Sequence, residues 1–265
     1  MSIEFKDKNY WAVILGGSAG LGLASAKKLA MHGMNICIVH RDRKLDLPIV
    51  EQNFNEIKSN GVDFLSFNLD ALKPETRDEV ISKLKEHWKE KSSVRVLIHS
   101  IAKGNLKPMI SENVAALNND DFHLTSEAMA FSLYDWTKNL YICKLFSPDA
   151  RVISFTSEGN LKAWKNYAAV SAAKGALEAI TRNIALEFAP YGIRANCIQA
   201  GATDTNSFRM IPGHKELAEY AKIRNPYKRL TKPEDVADAV YLLSLDEASW
   251  INGAVIPVNG GEHLS

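Results

Sequence analysis

Cysteine is scarce in this chain: Cys37, Cys143 and Cys197 are the only three in 265 residues. They lie in separate apolar stretches without metal-ligand spacing, so neither a disulfide framework nor a metal centre is expected. Small buried hydrophobes in a reducing compartment fit them better. Long hydrophobic runs are missing too: none approaches the roughly 20 residues needed to span a bilayer. The Met1–Tyr10 segment is charged and has no apolar targeting core, so a cytoplasmic protein with no membrane partner is expected. Charge of one sign is also absent. A formal net charge of +1 argues against nucleic acid or an anionic surface as a partner held by electrostatics. No internal repeat and no Pro/Gly/Ser-rich linker divides the chain, so residues 1–265 are expected to form a single domain.

What the chain does have is apolar residues, at 46% enough for a sizeable core. Short β-rich runs alternate with longer amphipathic stretches. Strands are predicted at Trp11–Leu15, Asn35–His40, Val62–Phe67, Val94–His99, Arg151–Phe155, Arg194–Gln199 and Ala254–Val258. Helices are predicted at Leu21–His32, Leu47–Ser59, Pro74–Lys91, Asp121–Phe146, Tyr167–Tyr191 and Lys232–Leu245. Ala12-Val13-Ile14-Leu15 is continuously apolar, as a strand covered by helices on both faces must be. The alternation implies an α/β protein: a doubly wound, Rossmann-like parallel sheet of about seven strands with helices on both faces.

Two local patterns carry chemistry. The first strand runs straight into Gly16-Gly17-Ser18-Ala19-Gly20-Leu21-Gly22. Glycines at 16, 20 and 22 permit a tight strand-to-helix turn, and the helix that follows offers free N–H groups to a pyrophosphate. Far downstream, six residues separate Tyr167 from Lys174. Read as one helix, seven steps of about 100° return both side chains to one face, roughly 10 Å apart along the axis. Such a pair suits hydride transfer from a dihydronicotinamide. A phenol stabilises charge gathering on a carbonyl oxygen, and a nearby ammonium favours the phenolate and lowers its pKa.

The Gly-x-x-x-Gly-x-Gly spacing resembles the short-chain dehydrogenase/reductase superfamily. The Tyr-x6-Lys spacing, with His99-Ser100-Ile101-Ala102 after the fourth strand, resembles its enoyl-acyl-carrier-protein reductase branch; most of the superfamily uses Tyr-x-x-x-Lys, and that slot here holds Val170. The resemblance implies a reductase of a 2-enoyl thioester, carried by acyl carrier protein or coenzyme A, in fatty acid biosynthesis. Tyr167, Lys174 and Ser157 would be its catalytic residues. Gly16, Ser18, Gly20, Leu21, Gly22, Asp70, Ser100, Ile101, Ala102, Lys174, Gly201, Thr203 and Thr205 would contact the cofactor. It further implies a homotetramer, with a substrate lid around 206–222 whose Phe208, Met210 and Ile211 would touch an acyl chain; a plain surface helix fits that segment as well.

Where the family places an acidic ribose ligand, at the end of the second strand, this chain has His40, flanked by Arg41, Asp42 and Arg43. Guanidinium groups pair with a 2′-phosphate that a carboxylate would repel, which favours NADPH over NADH. The other reading makes Asp42 the ribose ligand. Ser157 stands where the Tyr-x-x-x-Lys branch keeps its catalytic serine and where enoyl reductases often keep a second tyrosine. It either bonds the substrate oxygen or merely ends a strand. A 3-oxoacyl or other carbonyl reductase therefore remains the alternative, with a non-catalytic NADP-binding regulator behind it. Lys103–Leu124 reads as a loop beside the cleft with no assigned chemistry.

Overall fold

A computed structural model describes residues 3–88 and 91–264. Seven parallel strands form one sheet in the order β3-β2-β1-β4-β5-β6-β7. They are β1 (Tyr10–Leu15), β2 (Asn35–His40), β3 (Phe64–Asn68), β4 (Ser93–His99), β5 (Phe146–Ser157), β6 (Ile193–Ala200) and β7 (Val255–Val258). Successive residues of β1 point to opposite faces, and both faces are covered. Trp11, Val13 and Leu15 join the core that takes Val80 and Leu84 of α3 (Pro74–His87), Leu133 and Trp136 of α5 (Ser132–Ile142) and Leu177 of α6 (Ala168–Glu187). Ala12 and Ile14 join the opposite core with Leu29 of α1 (Gly20–Met31), Phe54 of α2 (Leu47–Lys58) and Val240 of α9 (Pro233–Ser244). The doubly wound α/β prediction holds.

Three predicted helices differ. The stretch Asp121–Phe146 is not one helix: α4 (Asn119–Ser126) passes through a π-helical turn at Glu127–Phe131 into α5. The chain then reverses at Lys144, whose φ is 57°, and Phe146 opens β5 instead of closing a helix. Pro148, two residues into β5, is likewise barred from a helix interior. Tyr167–Tyr191 is also shorter as a helix than predicted. Asn166 has a φ of 63°, Tyr167 precedes the first turn, and Ala189–Tyr191 forms a separate 3₁₀ turn. Helix α3 stops at His87, short of the predicted Lys91, and residues 89 and 90 lie outside the described residues. The predicted lid contains two helices, α7 (Asn206–Arg209) and α8 (His214–Arg224). No helix among the described residues is long and apolar enough to cross a membrane.

Strand order reverses between β1 and β4, so the connections leaving their carboxyl ends diverge and open a crevice, the usual ligand position in such sheets.

Candidate active site

The crevice begins at the glycine turn. Gly16 N donates to Val39 O and Ser100 N to Leu15 O, each at 2.8 Å, which draws the connections after β1 and β4 together. Gly16 has a φ of 81°, and a Cβ there would lie 2.6 Å from Ser100 O. A Cβ on Gly22 would lie 2.4 Å from Gly16 O, so the turn sits directly on the helix behind it. Helix α1 starts after Ala19 with no side-chain cap and no acidic residue in its first turn. Its first N–H groups are therefore left for an anion. A dinucleotide fits this cradle, which would be closed by any side chain at Gly16.

A cavity of about 580 Å³ extends from the turn, and its walls include Gly16, Ser18, Gly20, Leu21, Ser100, Ile101, Ala102, Lys174, Gly201, Thr203 and Thr205. The structure thus brings together eleven of the sixteen residues predicted to contact the cofactor. Thr205 packs over Gly20, and its hydroxyl accepts from Phe208 N at the start of α7. Five residues lie outside the cavity wall. Gly22 is buried beneath the turn. His40, Arg41, Arg43 and Asp70 cluster at the neighbouring ends of β2 and β3, with Arg41 Nη1 2.8 Å from Asp70 Oδ2. Asp42, the alternative ribose ligand, is also turned away, its Oδ2 2.7 Å from His40 Nδ1.

Ser157, Tyr167 and Lys174 line the same cavity. Tyr167 is placed by the turn before α6, not by helical periodicity. Its ring lies 5.3 Å from that of Trp164, and it abuts Gly159, where a Cβ would come within 2.5 Å of Tyr167 Cε1. Burial raises the phenol's pKa, and the neighbouring Ser157 hydroxyl opposes this only in part. The expected depression by Lys174 does not occur. The ammonium is aimed back at the sheet, with Nζ donating to Phe155 O at 2.6 Å. Tyr167 is thus a protonated donor. Burial pushes Lys174 down to about 8, with Cys197 and Glu178 acting in the opposite direction. The Ser157 hydroxyl is buried and has no hydrogen-bond partner of good geometry among the described residues. An unsatisfied buried hydroxyl beside a phenol marks a place for an oxygen acceptor.

His99, named only as a neighbour of the Ser-Ile-Ala segment, is a structural residue. It is buried, its Nε2 lies 2.8 Å from Ser132 Oγ, and burial with the Lys174 charge pushes it down to about 3, so it stays neutral. Beyond Tyr167 the wall becomes apolar, with Leu106, Met129, Trp164, Phe208, Met210 and Ile211. Phe208, Met210 and Ile211, from the segment predicted to be either a lid or a plain surface helix, line the cleft.

Sequence reasoning missed an acidic floor. Glu158 and Glu262 both line the cavity, and Arg224 at the end of α8 bonds both Glu158 oxygens, at 2.9 and 3.0 Å, and Glu262 O at 2.7 Å. The partners are 66 and 38 residues apart in sequence, so no local pattern announces them. Glu178, one turn after Lys174, accepts from Thr156 Oγ1 at 2.7 Å and Asn160 Nδ2 at 2.6 Å, bracing the Ser157–Asn160 turn. Its helical spacing from Lys174 was the available signal. Among the described residues no group of His, Cys, Asp and Glu is placed to hold a metal ion.

A cradle for a dinucleotide at a sheet's switch point, leading to a buried Tyr–Lys pair, defines a nicotinamide-dependent oxidoreductase of the short-chain dehydrogenase/reductase superfamily. Residues 16–263 match the family model described as enoyl-(acyl carrier protein) reductase, and the chain belongs to that family. A tropinone reductase homologue of Arabidopsis thaliana is 28% identical over 255 residues, covering 94% of this chain and 90% of the relative. The peroxisomal 2,4-dienoyl-CoA reductase of Rattus norvegicus is 25% identical over 256 residues, covering 96% and 84%. The structure of an enoyl-[acyl-carrier-protein] reductase (NADH) from Aquifex aeolicus superposes with a TM-score of 0.83 at 24% identity, covering 98% of each chain, and shows the shared fold.

Proposed function

We propose that this oxidoreductase uses NADPH to reduce the C=C bond of a 2-enoyl thioester. The observation that carries this reading is the position of the Tyr167 hydroxyl-bearing ring. It precedes α6 and sits between the unsatisfied Ser157 hydroxyl and an apolar recess lined by Leu106, Met129 and Ile211. A conjugated thioester needs both: a donor for its oxygen and an apolar wall for its chain.

The dihydronicotinamide, when bound, supplies the hydride. Addition at the β-carbon moves an electron pair through the conjugated system onto the thioester oxygen. Tyr167, kept protonated by burial, donates to that oxygen, and Ser157 is placed to donate a second hydrogen bond. The resulting enol takes up one solvent proton at its α-carbon and returns its oxygen-bound proton to Tyr167, giving the saturated thioester and restoring the phenol. Lys174 holds positive charge beneath the site and offers its remaining N–H donors to ribose hydroxyls. Arg41 and Arg43, both exposed at the end of β2, support the preference for NADPH. The relatives' names, a dienoyl-CoA reductase and a tropinone reductase homologue, are compatible with alkene or carbonyl reduction.

One observation favours the second reading. Ser157 and Tyr167 together also suit a ketone oxygen, which makes a 3-oxoacyl or other carbonyl reductase the competitor. Steady-state turnover of a crotonyl and an acetoacetyl thioester, each with NADPH and with NADH, separates the two. The proposal predicts faster crotonyl reduction with NADPH, and faster acetoacetyl reduction rejects it.

A further inference from the structure

We infer that His40 determines the nucleotide preference by holding the Asp42 carboxylate inside the strand end, an inference that rests on the NADPH reading above. Strand β2 ends at His40, which lies in register with Asn68 of β3, one residue beyond the Val39 carbonyl that anchors Gly16. The next three residues alternate in charge, and the structure sorts them. Arg41 is 56% exposed in its side chain and Asp42 only 22%. Arg43 is exposed.

Three contacts hold the anion inward. His40 Nδ1 lies 2.7 Å from Asp42 Oδ2, and an ionised carboxylate only accepts, so this nitrogen carries the hydrogen. Asn68 then clamps the Asp42 backbone from both sides: its Oδ1 accepts from Asp42 N at 2.9 Å and its Nδ2 donates to Asp42 O at 3.2 Å. The imidazole cannot easily swing away, because it is buried and stands edge-on to Phe54 at 5.2 Å.

A free carboxylate at this place would accept from a ribose 2′-hydroxyl and repel a 2′-phosphate. Held by His40, it has one oxygen engaged and its charge set back from the strand end, so the exposed cations beside it weigh more in the local potential. Arg41 engages Asp70 through Nη1, which leaves further donors of its guanidinium for phosphate oxygens. His40 thus acts as a specificity-determining residue that acts through Asp42.

The test is a set of dissociation constants for NADPH and NADH, read by nicotinamide fluorescence on the full chain. His40→Leu keeps the packing against Phe54 and removes the donor. It should lower the NADPH-over-NADH preference by about tenfold, the weight of one like charge released near a phosphate. Asp42→Asn alone should leave the ratio within about twofold, and adding it to His40→Leu should restore that ratio, because a side-chain amide carries no charge to repel phosphate. A purely structural histidine would not be rescued at Asp42. An unchanged ratio in His40→Leu, or no rescue in the double variant, overturns the role of His40. If His40→Leu does not fold, Asp42→Asn still decides: a marked loss of NADH affinity would make Asp42 the ribose ligand and overturn the inference. A wild-type protein that binds NADH more tightly than NADPH overturns instead the reading on which the inference rests.

Discussion

The two ends of the sheet use buried charge in opposite ways. At the amino-terminal ends of the central strands, Arg95 and Arg151 are each 1% exposed, and their guanidiniums are saturated with partners. Arg95 bonds Ser244 O, Asp149 and Asp246; Arg151 bonds Leu243 O, Leu245 O and Asp149, so together they cap the last carbonyls of α9. Arg194 also pairs with Asp149. Burial works against the Asp149 carboxylate, but Arg151 and Arg95 outweigh it and hold the pKa down to about 2. At the carboxyl-terminal ends the polar groups are left wanting: a buried hydroxyl without a partner, a lysine with its charge weakened, a helix start without a cap. Satisfied networks rigidify, and unsatisfied ones wait for a ligand. One end stabilises the sheet and the other uses it.

Removing the shared anion at the stabilising end should have the largest effect. Asp149→Ala leaves three guanidiniums without their common partner and should cost about 2 kcal/mol, below the range for a fully buried ion pair because this carboxylate is half-buried. Denaturant unfolding would measure it, and turnover per folded molecule should be unaffected. Loss of turnover at unchanged stability would mean that the two ends are not separate.

A smaller effect is expected at the site itself. Gly159→Ala puts a methyl group 2.5 Å from Tyr167 Cε1 and must displace the ring. Turnover should fall about 10- to 100-fold, the scale of a misplaced reacting group. Nucleotide affinity and thermal midpoint should move little. A fall in nucleotide affinity equal to the fall in turnover would show that the turn serves binding.

The smallest effect is a shift in pH dependence. Lys174 is charged below about 8, so kcat/KM should be full below that pH and decline as pH rises through it. Glu178 favours the charged form, and Glu178→Gln should move the break toward lower pH by about half a unit. A break that stays put would remove Glu178 from the electrostatics of the site.

Local features of this architecture were legible in the sequence. Asn35–His40 was read to the residue, because a β-branched apolar run flanked by polar residues admits few alternatives. The glycine turn was equally legible, since its steric need is written in adjacent residues. Strand β5 was not. Its first half, Phe146–Ala150, contains Pro148 and Asp149, and its pairing with β4 shifts register between Val94 and Val96. The π-turn at Glu127–Phe131 was invisible as well, because Ala128, Met129 and Leu133 sustain a helical apolar pattern through it. Tyr167 and Lys174 do meet in one cleft, but for a reason periodicity could not supply. The left-handed Asn166 sets the tyrosine ahead of the helix, and Gly159 and Trp164 seat its ring. The Glu158–Arg224–Glu262 floor is built from residues far apart in the chain, and His40's hold on Asp42 depends on the inward turn of a side chain.

Under the proposed function, the protonated phenol of Tyr167 serves the chemistry and not the binding. Single-turnover reduction by Tyr167→Phe, measured beside its NADPH dissociation constant, tests it most directly. The rate should fall about 10²- to 10⁴-fold, as loss of a positioned proton donor requires, with nucleotide affinity within about twofold of wild type. A Tyr167→Phe protein that turns over at nearly the wild-type rate would show that this phenol is not the proton donor.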